Sequence, residues 1–231
     1  MKHFKRELIV LLLCIFTVKV LSAETRIRIA VIDTGVHVNA RSAPYLCEDG
    51  HADFTGYGPE DNAGHGTNVM GIIAQKMNPK THCLMSIKFF NTEKQSSLVG
   101  ELESLHLALA YILQWKPAYV NMSISGKYYD HKEYKVFVEL LKSGTTITVA
   151  AGNNKLDLSA SCIIYPACHK IKHKRFFVVG SSNGSFSNFG GPVNASQRGL
   201  NRSGWGVMLT GTSQSSAVQM SELIKGRSPI Y

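Results

Sequence analysis

The chain has 231 residues, 44% hydrophobic and 18% charged, a globular composition with length for one domain and a substantial core, which excludes a disordered chain. Its formal charge is +9, of which Lys2, Lys5, Arg6 and Lys19 against Glu7 place +3 in the first 23 residues. The remaining +6 is scattered rather than gathered into a basic stripe, so no nucleic-acid partner is expected.

The chain opens with the basic "MKHFKRE", the apolar run "LIVLLLCIFTV" and "KVLSAET", the three-part layout of a secretory signal peptide. Residues 1–23 are therefore read as a signal cleaved after Ala23, and 24–231 as a single domain that is secreted or periplasmic. The apolar run is short for a bilayer span, so membrane association is expected only if the segment stays uncleaved as an anchor. Cys14 lacks the small residues that a lipoprotein signal places before its cysteine.

Past the signal lie Cys47, Cys83, Cys162 and Cys168, and an even count in an exported chain suggests disulfides, with three connectivities open. Cys162 and Cys168 are close in sequence and are paired, which leaves Cys47 with Cys83. A competing reading gathers Cys162, Cys168, His169 and His173 around zinc. Their spacing matches no common finger pattern, so neither a metal nor another cofactor is expected.

From Glu24 onward the elements alternate. "RIRIAVID" is a short β-rich run ending in a glycine turn, and "AGHGTNVMGIIAQKM" reads as a turn feeding a helix. "CLMSIKFF" is a strand. The stretch "SSLVGELESLHLALAYILQWK" carries Leu98, Leu102, Leu105, Leu109 and Ile112 at helical steps, with Ser96 or Ser97 as cap and Pro117 as stop. "AYVNMSIS" follows as a strand, then a helical "HKEYKVFVELLKSG" ending at Gly144, then strands "TTITVAAG" and "FFVVGSS". "SQSSAVQMSELIKG" is the last periodic stretch. Alternation of this kind predicts a three-layer α/β fold, a mostly parallel sheet with helices on both faces, and places sites at the carboxyl ends of strands.

The first such end is Asp33 in "VIDTGV". Asp-Thr-Gly also occurs in aspartic proteases, where two such loops share a proton. A single copy in a chain with at least three helices excludes that fold. The alternative use of the carboxylate is to orient a histidine beside a nucleophilic serine. "GHGTNVMG" puts His65 between glycines at a helix start, and "GTSQSSA" puts Ser213 in a small-residue turn that also opens a helix. Glycines permit close approach, and a helix N-terminus presents N–H groups to developing negative charge. The other histidines (His37, His51, His82, His106, His131, His169, His173) are given no role; His106 is read as a packing or surface residue of the long helix.

Asp33, His65 and Ser213 occur in the order long associated with subtilisin. With "VIDTGV", "HGTNVMGIIA" and "GTSQSSA" all present, the chain resembles the subtilisin-like serine proteases (subtilases) from about Ile27 to Lys225. The resemblance implies a reduced subtilisin-like domain acting as a serine endopeptidase, expected to be monomeric, on protein or peptide substrates. It makes "VNMSISG" the strand lining the cleft, with Ser123, Ile124 and Ser125 facing the peptide. It makes "VAAGNN" the segment of Gly152 and of the oxyanion-stabilising Asn153. It also sets Ile164 of "IIYPAC" at the base of the primary specificity pocket, and "SFSNFG" near the cleft. The chain departs from the family pattern where a second histidine is replaced by Asn68 and a proline after the serine by Val218 or a neighbour. A short loop after "GIIAQK" leaves no calcium loop expected there, and no pro-segment is expected between Ala23 and the first strand. A non-catalytic subtilase-like module that binds peptides or a partner is the alternative; an esterase using the same triad is a third.

Overall fold

The computed structural model describes residues 25–92 and 98–225. The proposed signal at 1–23 and the cap at Ser96 or Ser97 lie outside the described residues. In chain order the elements are β1 (Ile27–Asp33), β2 (Ala52–Asp53), α1 (His65–Ala74), β3 (His82–Lys88), α2 (Leu98–Trp115) and β4 (Tyr119–Met122). There follow α3 (His131–Lys142), β5 (Thr146–Ala150), β6 (Phe176–Ser181), β7 (Ala195–Gln197), β8 (Arg202–Gly204), β9 (Val207–Leu209) and α4 (Thr212–Ile224).

The nearly unbroken apolar run of β1 suits a strand covered on both faces. It lies inside a seven-stranded sheet of order β2-β3-β1-β4-β5-β6-β7, in which every neighbouring pair is parallel. The two-residue period of a strand divides its side chains between two cores. Ala30 and Ile32 pack with Met85, Val120 and Ile147 beneath Leu109 and Ile112 of α2 and Phe137 and Leu140 of α3. Ile29 and Val31 face the opposite way, against Val69 and Ile73 of α1 and Ala217 and Met220 of α4. The result is the expected three-layer fold.

From β1 the chain crosses through α1 to β3 on one side, and α2 returns it to β4 on the other. The carboxyl ends of β1 and β4 therefore flank the point where strand order reverses, and a crevice forms outside such a point. Local signals set the helix limits. Asp130 caps α3 by accepting from Glu133 N at 2.7 Å, and Gly144, with φ +100°, takes the left-handed conformation just past its end.

Both disulfides have the expected pairing, Cys47–Cys83 and Cys162–Cys168. The first ties the loop after β1 to β3, where Cys47 N also donates to Leu84 O at 3.0 Å. With Cys162 and Cys168 joined, and His169 bonded to Glu133 at 2.6 Å, the zinc arrangement is not formed.

The β8–β9 hairpin, which no sequence pattern anticipated, docks on α1 through Asn68. This residue is fully buried; its Nδ2 donates to Arg202 O at 2.9 Å and Val207 O at 2.7 Å, and its Oδ1 accepts from Gln214 Nε2 at 3.0 Å. A neutral histidine offers one donor and one acceptor, so it cannot satisfy this triple arrangement, whereas asparagine can. Asn68→Ala strands two carbonyls and one amide in the interior and is expected to cost about 2–4 kcal/mol. Denaturant unfolding checks it: the midpoint should fall at unchanged slope, and a shift under 0.5 kcal/mol would mean that the other contacts between α1 and the hairpin, such as Gln75 Nε2 to Ser203 O at 2.7 Å, hold the segments without Asn68.

Candidate active site

Asp33 ends β1 and is fully buried. Its Oδ1 accepts from His65 Nδ1 at 2.7 Å and from Thr34 N at 2.8 Å. Because an ionised carboxylate only accepts, the bond assigns the ring proton to Nδ1 and leaves Nε2 as the basic nitrogen. The Asp33 charge holds the His65 imidazole above its ordinary range, against the opposing effect of burial and with smaller help from Asp61. Its free-base form is therefore populated only at higher pH than in an unperturbed histidine.

The local chain explains how His65 reaches this position. It opens α1, after Gly64 in the left-handed conformation at φ +75°. A Cβ on Gly66 would lie 2.2 Å from Gly35 O, so only glycine lets the helix start dock on the loop after β1. Asp61, which the sequence reading passed over, organises the turn. Its Oδ1 accepts from Thr34 Oγ1 at 2.8 Å and Gly64 N at 2.9 Å, and its Oδ2 from Thr67 N at 2.8 Å and Thr67 Oγ1 at 2.6 Å. Thr34 Oγ1 in turn accepts from Gly66 N at 2.9 Å. The available signal was an aspartate at the head of "DNAGHGT", where its side chain can bond N–H groups a few residues ahead.

Ser213 lies in the first turn of α4, and α4 is fixed to α1 by the Gln214–Asn68 bond. Its Oγ donates to Ser123 O at 2.7 Å, and Ser123 Oγ donates back to Ser213 O at 3.0 Å. A hydroxyl has one proton, so that of Ser213 is directed at Ser123 O, just past β4, and not at His65. Beneath the pair, Asn121 Nδ2 donates to Ser123 Oγ at 2.8 Å, while Asn121 Oδ1 accepts from Thr148 Oγ1 at 2.8 Å and Ser216 Oγ at 2.9 Å. Asn121 was legible only as an interior strand residue; its role depends on two other segments.

Asn153 sits just past β5, exposed at the surface. Its Oδ1 accepts from both Thr212 N and Thr212 Oγ1 at 2.9 Å, and Thr212 Oγ1 accepts from Gly152 N at 3.0 Å. The amide is thereby oriented with its Nδ2 donors turned away from Thr212, one residue before Ser213. Gly152 has φ +98°, and a Cβ there would lie 2.4 Å from Asn188 Nδ2 and 3.1 Å from Ile164 Cγ2. Ile164 is buried against this glycine. Ile124 and the exposed Ser125 continue from Ser123, and Gly126 exchanges both backbone hydrogen bonds with Tyr165 at 2.8 Å. Asp33 and His65 are thus brought into direct contact, Thr212 links Asn153 and Gly152 to the start of α4 one residue before Ser213, and Ile164 lies against Gly152.

Residues 24–227 match the Subtilase family. The chain belongs to this family. It is 29% identical over 203 residues to the subtilase-type proteinase psp3 of Schizosaccharomyces pombe, covering 80% of this chain and 43% of that protein. It is 31% identical over 177 residues to alkaline protease 1 of Aspergillus oryzae, covering 69% and 40%, and 27% identical over 190 residues to subtilisin-like protease 1 of Trichophyton rubrum, covering 78% and 36%. The subtilase thus spans about two fifths of the length of the curated relatives it matches. Among solved structures, its fold is similar to a cold adapted subtilisin-like serine proteinase (TM-score 0.67, 22% identity, 88% of this chain and 78% of that one). It is also similar to a lanthipeptide protease (TM-score 0.71, 15% identity, 88% and 76%).

Proposed function

We propose that this subtilase is an exported serine endopeptidase. The observation that carries the reading is the 2.7 Å bond from His65 Nδ1 to the buried Asp33 carboxylate, which reserves Nε2 for a substrate-side proton. In the proposed reaction the Ser213 side chain turns from Ser123 O towards His65, which takes its proton as Oγ attacks a peptide carbonyl. Asn153 Nδ2 and the Ser213 N–H hold the oxygen of the tetrahedral intermediate, and His65⁺ protonates the leaving amine. Water then repeats the sequence on the acyl-enzyme. The signal-like residues 1–23 and the two disulfides support export to a secreted or periplasmic location. A serine-reactive fluorophosphonate tests the reading: labelling should require both Ser213 and His65, and a folded wild-type protein that takes no label would overturn it in favour of a peptide-binding module.

For specificity, the position of Ile164 Cγ2 against Gly152 supports a primary pocket shortened by a branched side chain. Substrates with Ala, Val or Leu before the scissile bond should be preferred over Phe or Tyr, since a misfitting methylene changes discrimination by roughly 1–3 kcal/mol. Ile164→Gly is expected to raise kcat/KM for Phe relative to Ala substrates. A wild-type enzyme that already cleaves best after Phe would show that Ile164 does not fill the pocket.

A further inference from the structure

The surplus of positive charge, scattered when read along the chain, has a definite place in the fold. Residues 158–221 contain Lys170, Lys172, Lys174, Arg175, Arg198 and Arg202 and no aspartate or glutamate, so this stretch carries the whole +6 that remains after the first 23 residues. Four of these cations fall between the turn Ala167–His169 and β6. Lys170, Lys172 and Lys174 are exposed, with Ile171 and His173 half-buried between them. None of the four pairs with a carboxylate among the described residues.

Packing extends the cluster into a band. Arg175 O accepts from Ile147 N at 2.8 Å, and Arg175 Nη2 donates to Leu141 O at 3.4 Å. Arg175 thus stands at the amino ends of β5 and β6, beside the exposed Lys142 that ends α3. Thr145 Oγ1 donates to Pro117 O at 2.8 Å, which brings the exposed Lys116, just past α2, next in line. Against these cations stands Glu139, paired with Lys142 at 2.7 Å. On the other side, β7 pairs with Val179–Ser181 of β6, so among the described residues Phe176–Val178 have no strand along that edge. A cavity of about 580 Å³ forms there, lined by Lys170, Lys172 and His173 with Ser159 and Asn194, and by no carboxylate among the described residues. It shares neither Gly152 nor Ile164 with the primary pocket, and Asp33 lies at the opposite, carboxyl end of the sheet.

Unpaired cations held close together repel one another, and an anionic partner relieves that repulsion. The band runs from Lys170 to Lys116 across the ends of three neighbouring strands, spaced about 5 Å apart, so it suits a chain of anionic groups rather than a single ion. A bilayer is a poor match, because no large apolar side chain from Tyr165 to Val178 is exposed to enter it. Nucleic acid is a poor match too. The band offers a single strand no exposed aromatic ring to stack on, and it presents a loop and helix ends rather than the helix or ribbon that a duplex groove admits. An acidic polysaccharide needs neither, since its sulfate or carboxylate groups can meet the lysines one by one.

We propose that this face binds an acidic polysaccharide, with Lys170, Lys172 and Lys174 as the main contacts, and holds the protein with its catalytic cleft turned away from the bound chain.

Binding of heparin to the full-length protein, with a DNA duplex and phosphatidylserine vesicles as comparisons, tests this. At about 0.15 M salt heparin should bind at least roughly tenfold more tightly than either, and more weakly as salt rises. No heparin binding, or DNA or vesicles bound as tightly, overturns the proposal. Lys172→Glu/Lys174→Glu should weaken heparin binding by roughly 10–100-fold, and the milder Lys172→Gln/Lys174→Gln by less. Lys127→Glu/Lys132→Glu makes the same change in net charge at exposed sites before and within the first turn of α3, and should leave binding near wild type. An equal loss in both glutamate variants would reduce the effect to overall charge and overturn the proposal. Saturating heparin should not alter kcat/KM for a short peptide; competitive inhibition would put heparin in the cleft and overturn it as well. Ser213→Ala should bind heparin as the wild type does, so the proposal stands or falls apart from the peptidase reading.

Discussion

Ser213→Ala and His65→Ala are each expected to abolish nearly all peptidase activity, by about 10⁶ in kcat, the scale that subtilisin sets for loss of either partner of the same pair. The two losses should not add, because neither residue moves a proton without the other. Their structural consequences should differ. The Ser213 hydroxyl makes one donated bond, to Ser123 O, so its removal costs about 0.5–1.5 kcal/mol and leaves the fold intact. His65 is hydrogen-bonded to a carboxylate that is fully buried, and His65→Ala leaves that carboxylate with Thr34 alone as a hydrogen-bond partner among the described residues. Its melting temperature should fall further than that of Ser213→Ala, because an uncompensated buried charge is expensive. Circular dichroism and thermal melts separate the two effects. Purified Ser213→Ala with wild-type turnover would show that the nucleophile is elsewhere.

Asn153→Leu is expected to lower kcat by roughly 10²–10³ with little change in KM, as for loss of one oxyanion donor. The structure adds a complication that a second variant resolves. Asn153 Oδ1 also accepts from Thr212 N and Thr212 Oγ1, so leucine both removes the Nδ2 donors and deprives the start of α4 of an acceptor. Asn153→Asp keeps the acceptor, and its negative charge is favourable at a helix N-terminus, so stability should be retained. Catalysis should not be: the donors are gone, and a carboxylate repels the oxyanion. A low kcat in both variants, with a lowered melting temperature in Asn153→Leu alone, separates the catalytic role from the structural one. An Asn153→Asp enzyme with wild-type kcat would remove Asn153 from the oxyanion site.

The elements that the sequence by itself determined are those whose cause is local. The run ending at Asp33 was legible as a strand because it is short, rich in β-branched residues and closed by a glycine turn. Gly144 marked the end of α3 because a left-handed residue is cheapest as glycine. Asp33, His65 and Ser213 were legible because each stands in a short stretch of small residues at an element end, where close approach requires glycine.

What tertiary structure alone decided depends on segments that meet across long sequence separations. The hairpin of β8 and β9 has strands of three residues each, too short for periodicity to register, and it acquires its place through contacts with α1, chiefly those of Asn68 and Gln75. Asp61 and Asn121 looked like a turn residue and a strand residue; they tie distant segments together because Thr34 reaches Asp61, and Thr148 and Ser216 reach Asn121, from elsewhere in the chain. The direction of the Ser213 proton also belongs to this class. A hydroxyl can rotate to any acceptor within reach, and no local pattern specifies that Ser123 O is the acceptor that folding brings to it.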